Sequence, residues 1–84
     1  MAQSPEHSET QRLRALGAGI RAQRVAGGLT LEDLAAPAKL SVTYLGQTER
    51  GQRNPSALVL WRIADALGVT LEQLLASGSG APPR

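Results

Sequence analysis

The chain is punctuated at short intervals: Thr30, Ser41, Ser56 and Thr70 each stand before a helix-forming run, and Gly27-Gly28, Gly51 and Gly68 each follow one. A Ser or Thr hydroxyl at a helix start accepts a hydrogen bond from a backbone N–H two or three residues on. A Gly just past the last turn takes the left-handed conformation without steric cost. Helices confined between such marks are short, and only their packing together can stabilise them. The first is predicted over residues 11–26, with Leu13, Leu16 and Ile20 on one stripe and Arg21 and Gln23 off it. The second opens at Leu31 after Thr30, where Asp33 is placed to complete a capping box, and turns Leu34, Ala35 and Ala38 inward. The third lies between Ser41 and Gly51. A turn at Asn54-Pro55-Ser56 starts the fourth, residues 57–67, with Leu60, Ile63, Ala64 and Leu67 inward. Thr70 caps the fifth, LEQLLA, with Gln73 at the capping-box position and Leu71, Leu74 and Leu75 apolar. No window alternates apolar and polar residues better than it fits a helix, so the fold class is all-α: a compact five-helix domain over residues 11–76. Polar tails are expected at residues 1–10 and 77–84, the second (SGSGAPPR) flexible or extended, and neither is expected to carry chemistry.

At 84 residues the chain is one domain, near the size at which a single core only just outweighs chain entropy, and it leaves no room for a deep substrate cleft. With no Phe, one Tyr and one Trp, the core must be aliphatic, and small residues at helix contacts imply close packing. The absence of Cys removes disulfides, thiolate metal sites and Cys nucleophiles, and a solitary His7 cannot make a metal site. No metal, cofactor or catalytic residue is therefore expected. One His and scattered carboxylates supply no nucleophile with its base. The apolar runs fall well short of the roughly 18–20 residues of a membrane span, and MAQSPEHSET lacks the marks of a signal peptide, which favours a cytoplasmic protein.

A net charge of +2 says little about partners, but its distribution says more. Glu6 and Glu9 lie in the leading tail, Arg12, Arg14, Arg21 and Arg24 crowd the first helix, and Arg50 and Arg53 flank the third. Charge alone is equally compatible with a solvated mixed surface. The segment SVTYLGQTERGQRNP, from Ser41 to Pro55, is sharper. Leu40, Leu45 and Thr48 face one way, while Val42, Thr43, Gln47, Arg50 and Arg53 form an opposite rim of small polar and cationic groups. Preceded by a helix and a tight turn, this segment reads as the second helix of a helix-turn-helix, the usual reader of the DNA major groove.

From Leu16 to Leu75 the chain resembles the phage-repressor (Cro-type, or xenobiotic-response-element) helix-turn-helix family. The residues that carry the resemblance are Ile20-Arg21 and Arg24, LTLEDLA, YLGQTERGQRNPS and LWRIADALGVTLEQLL, in that order and at the right separations. The resemblance implies a lambda-repressor-like DNA-binding domain, commonly a homodimer. It places Val42, Thr43 and Gln47 where relatives contact base edges, and Arg50 and the Gln52-Arg53 loop where they contact phosphates. Gln can pair with adenine N6 and N7, and the methyls of Val and Thr can meet the thymine methyl. A plain exposed first turn and a solvated helix face are the alternatives for these positions. The resemblance also implies an internal ion pair between Arg24 and Glu49, leaving Arg50 free for the DNA backbone.

Several residues depart from the family pattern. Leu31 replaces a Gln that touches phosphate in many members. Lys39 stands where the turn usually has Gly, implying positive φ at a cost of about 1 kcal/mol, and its ammonium can reach a phosphate. Pro37 should distort the last turn of the second helix. Thr48 replaces an aliphatic core residue. Tyr44 either bonds a phosphate or packs beside Leu40. Trp61, with Val69, Leu71 and Leu75, forms an apolar patch explained by a dimer interface or by a tail folding over it.

The reading that follows is a sequence-specific transcriptional regulator that binds an inverted repeat in double-stranded DNA as a homodimer. Repressors, restriction-modification controllers and autorepressing antitoxins share the architecture, with a toxin or RNA polymerase as candidate further partners. The competing class is a protein-interaction adaptor with the same fold and no base readout. An enzyme is the third class and the least favoured.

Overall fold

The structure, a computed structural model, describes residues 8–78 as five helices: α1 (Glu9–Ala26), α2 (Leu31–Ala38), α3 (Val42–Glu49), α4 (Ala57–Leu67) and α5 (Leu71–Ser77). Every helix opens on a hydroxyl cap, with Ser8, Thr30, Ser41, Ser56 and Thr70 accepting from the N–H three residues on. Complete capping boxes form at Thr30 with Asp33 and at Thr70 with Gln73. These caps satisfy donors that a helix start leaves unpaired, which short helices can least tolerate.

Two helix ends differ from the expected ones. α1 starts at Glu9, ahead of residue 11, because Ser8 accepts from the Gln11 N–H at 3.1 Å and Glu9 lies where the helix dipole favours a carboxylate. α5 runs through Ser77, whose hydroxyl accepts from Gln23 Nε2 at 2.7 Å and donates to the Gln73 carbonyl at 2.8 Å. The remainder of the two expected tails, residues 1–7 and 79–84 with His7 among them, lies outside the described residues.

The buried core is Ile20, Leu34, Ala35, Ala38, Leu45, Ile63, Ala64 and Leu74, drawn from all five helices. Leu16, Leu31, Leu40, Val59, Leu60, Leu67, Val69 and Leu71 pack partly buried around it. Thr48 is also buried, and its hydroxyl donates to the Tyr44 carbonyl one turn back at 2.8 Å. That bond lets a polar side chain occupy an apolar position. Pro37 falls in the last turn of α2, which stays α-helical through Ala38. Lys39 then takes φ 60°, and the Lys39 and Leu40 N–H groups close the helix on the Ala36 and Ala35 carbonyls.

α1 packs between α5 and α3, and α2 against α4 and α3. The first of these approaches is unusually close, since α1 carries Gly17 and Gly19 at mid-helix, where each costs roughly 1 kcal/mol relative to Ala. A Cβ at Gly17 would overlap the carbonyl oxygens of Thr48 and Glu49, and one at Gly19 would overlap the Leu74 carbonyl and Gly78. The obstacles are backbone, so no side chain can swing aside. Gly17→Ala should therefore lose about 2 kcal/mol despite its better helix propensity, read from urea midpoints; an unchanged or raised midpoint would show that α3 can shift away from α1.

Asp33 titrates with its cap. The Thr30 backbone N–H, followed by its hydroxyl, holds the carboxyl below the ordinary carboxylate value. A lowered folded-state pKa stabilises above the unfolded value, and the contribution fades as pH falls through the folded one. Asp33→Asn should be less stable near neutrality and show a flatter loss of stability below about pH 4; parallel acid limbs in the two proteins would remove Asp33 from the account.

Candidate nucleic-acid interface

α2, the left-handed turn at Lys39 and α3 form the helix-turn-helix. Leu45 and Thr48 turn into the core, so the opposite side of α3 is exposed: Val42, at 38%, and Thr43 in its first turn. Gln47 and Tyr44 are half-buried, and Lys39, Arg50, Gln52 and Arg53 are exposed around them.

The loop after α3 folds back onto it. The Gly51 N–H donates to the Thr48 carbonyl at 3.0 Å and the Gln52 N–H to the Gln47 carbonyl at 2.9 Å, with Gly51 at φ 78°. Buried Pro55 holds the far end of the loop. This path brings Arg53 over α3, where its Nε donates to Gln47 Oε1 at 2.9 Å and its guanidinium carbon lies 5.5 Å from the centre of the Tyr44 ring. Tyr44, Gln47 and Arg53 thus form one cluster. Reading Gln47 and Arg53 as independent groups, one for bases and one for phosphate, missed this contact. It spans six residues and depends on how the loop turns.

Beneath α3, Arg24 and Glu49 meet in a two-pronged ion pair, Nε to Oε2 at 2.7 Å and Nη2 to Oε1 at 3.0 Å, with side chains 13% and 5% exposed. Arg24 Nη1 donates to the Leu29 carbonyl at 2.9 Å, so one guanidinium ties α1, the α1–α2 loop and the end of α3 together. The hydrogen bond to Glu49 raises the Arg24 pKa against the opposing effect of burial. Arg21 and Arg50 flank a cleft of about 520 Å³ above this pair, with Leu31 and Gly46 on its wall. Leu31 packs against the core and offers no polar group at this position.

A second surface lies on α4 and α5. Leu58 and Trp61 are 64% and 53% exposed, and Leu75 is exposed on α5. Trp61, Val69 and Leu71 line a concavity of about 440 Å³ with Asp65, Thr70 and Glu72. Leu75 is not part of that lining. Leu58, absent from the sequence reading of this patch, precedes Trp61 by three residues, and that helical spacing was its available signal. Among the described residues no group of three or more His, Cys, Asp or Glu side chains could hold a metal, and no helix is long and apolar enough to cross a membrane.

Removing one member of a buried ion pair strands the other charge, at a cost of about 3–5 kcal/mol. Glu49→Gln and Arg24→Met should each approach that loss, and the double substitution should lose clearly less than their sum; additive losses in thermal or urea melts would deny the coupling.

Comparison with known proteins places this geometry. The model of the helix-turn-helix family matches residues 20–74. The chain is 43% identical over 56 residues to the HTH-type transcriptional regulator DdrOP3 of Deinococcus deserti, a match covering 67% of this chain; it spans only 43% of that regulator's length. Among solved structures it is similar to the restriction-modification controller protein C.AhdI of Aeromonas hydrophila, at 39% identity and TM-score 0.72, covering 74% of this chain and 94% of that one. It is also similar to the clp gene regulator ClgR of Corynebacterium glutamicum, at 35% identity and TM-score 0.79, covering 82% and 90%. With its cap-bounded five helices, exposed α3 and matched residues from α1 into α5, the protein belongs to the helix-turn-helix family of DNA-binding transcriptional regulators.

Proposed function

We propose that the protein is a sequence-specific regulator that binds an inverted-repeat operator as a homodimer, with α3 in the major groove. The observation that carries this reading is the rim of Val42, Thr43 and Gln47, presented on a helix whose far end is anchored by the Arg24–Glu49 pair. Without Arg24, the carboxylate of Glu49 would repel DNA; paired, it supports the reading helix. Lys39, Tyr44, Arg50 and Gln52 surround the rim and serve the phosphates, which fix register without reading sequence. Likeness to a restriction-modification controller and to a gene regulator supports a role in gene control.

Dimerisation falls to the α4–α5 surface. Leu58 and Trp61 leave apolar area exposed that a two-fold contact between copies would bury, with Val69, Leu71 and Leu75 beside it. Such an interface can set two α3 helices about 34 Å apart, one turn of duplex. A strictly monomeric protein in sedimentation at hundreds of micromolar, with and without operator, would refute the dimer, and Trp61→Glu should shift the equilibrium toward monomer.

The binding test is a gel shift on DNA upstream of the protein's own gene against unrelated competitor. Thr43→Ala should lose roughly 1–3 kcal/mol on the specific site and little on random DNA. Arg50→Ala should weaken both and flatten the dependence of log affinity on log salt by about one unit. Equal affinity for every duplex would instead favour an adaptor.

A further inference from the structure

We propose that Arg21 on α1 and Arg50 at the end of α3 hold one phosphodiester of the DNA backbone between them. The proposal rests on α3 being the reading helix and goes beyond it by giving α1 a part in binding.

Both arginines line the cleft of about 520 Å³ above the Arg24–Glu49 pair, and both are exposed. Ala18, Arg21 and Arg24 line it at three-residue spacing, so a single face of α1 forms one side. At the base the charge of Glu49 is already answered: both its carboxylate oxygens accept from Arg24, whose Nη1 donates to the Leu29 carbonyl. Arg21 and Arg50 are left as two positive charges that no other carboxylate on the lining offsets. Glu32 and Asp33, next along α2 from Leu31, do not line the cleft, and Asp33 is turned onto the Thr30 N–H.

Gly46 sets the reach of Arg50. A Cβ there would stand 3.4 Å from Arg50 Nη1 and 3.7 Å from Leu31 Cδ1, so the guanidinium lies back over bare backbone one turn before its own, beside Leu31. Neither Leu31 nor Gly46 has a polar side chain to compete for it. Two guanidinium forks from different helices thus flank one concavity, and their planar donors match phosphate oxygens. Exposed arginines hold a free anion weakly, because salt screens them. A duplex seated on the rim of α3 instead keeps its phosphates beside the cleft at high effective concentration, which makes DNA the source of the anion.

The experiment measures the affinity of the full-length wild type, Arg21→Gln and Arg50→Gln for a site selected from randomised DNA and for random duplex, across salt, with urea midpoints to check folding. The selected site is then rebuilt with a neutral methylphosphonate at each phosphate in turn. Each substitution should weaken both duplexes and flatten the dependence of log affinity on log salt by about one unit, so that its effect shrinks roughly 3- to 4-fold between about 50 and about 200 mM salt. At one position per half-site the methylphosphonate should weaken the wild type and render both substitutions silent. Unchanged affinity and slope for Arg21→Gln overturns the proposal. So does silencing of the two substitutions by different phosphates, because each arginine then has its own anchor. Inorganic phosphate supplies the control for a free anion: binding to the DNA-free wild type with Kd below about 1 mM, lost in Arg21→Gln while DNA affinity stays the same, also overturns it. A wild type that binds no duplex rejects the α3 reading and the shared phosphate together, whereas failure at Arg21 alone leaves that reading standing.

Discussion

The guanidinium of Arg24 holds the reading helix to the body of the domain. It spends two donors on Glu49 and one on the Leu29 carbonyl, so the end of α1, the loop into α2 and the last turn of α3 share one charged centre. The Glu49 side chain is almost fully enclosed, and the two-pronged geometry fixes orientation as well as distance. The same turn of α3 is gripped from below, where Gly17 lets the α1 backbone come against the carbonyls of Thr48 and Glu49. One end of α3 is therefore clamped twice, while its first turn, with Val42 and Thr43, stands exposed.

The rest of the α3 surface depends on this anchorage. A fixed last turn lets the following loop return over the helix through Gly51 and Gln52, and that return places Arg53 on Tyr44 and Gln47. A side chain held by a ring and an amide before binding loses less freedom when it meets a ligand, so specificity can be built from few residues. Among the described residues the core holds eight buried hydrophobics, and Leu58, Trp61 and Leu75 stay exposed. In a chain this small, apolar surface on α4 and α5 is the natural reserve for association.

Much of the fold was legible before any coordinates because capping is local. Thr30, Ser41, Ser56 and Thr70 each bond a backbone N–H three residues on, so their position marks a helix start whatever the tertiary context. The true start of α1 was missed for the opposite reason: Ser8 carries the same signal inside a segment whose polar composition suggested a tail. α5 reaches Ser77 with support from Gln23, fifty-four positions away, a partner that no local pattern names. Arg24 and Glu49 were paired through the family pattern, since their separation carries no periodicity of its own.

Local chemistry thus set the helices, their order, the inward stripes and the exposed rim of α3, because caps, glycine stops and apolar spacing act within a few residues. What had to await the packed chain was every contact made across loops: the backbone approach at Gly17, the three-way grip of Arg24 and the seating of Arg53 on Gln47. Their partners are brought within bonding distance by the positions of whole helices, and those positions come from the summed burial of the core, which no short window of sequence contains.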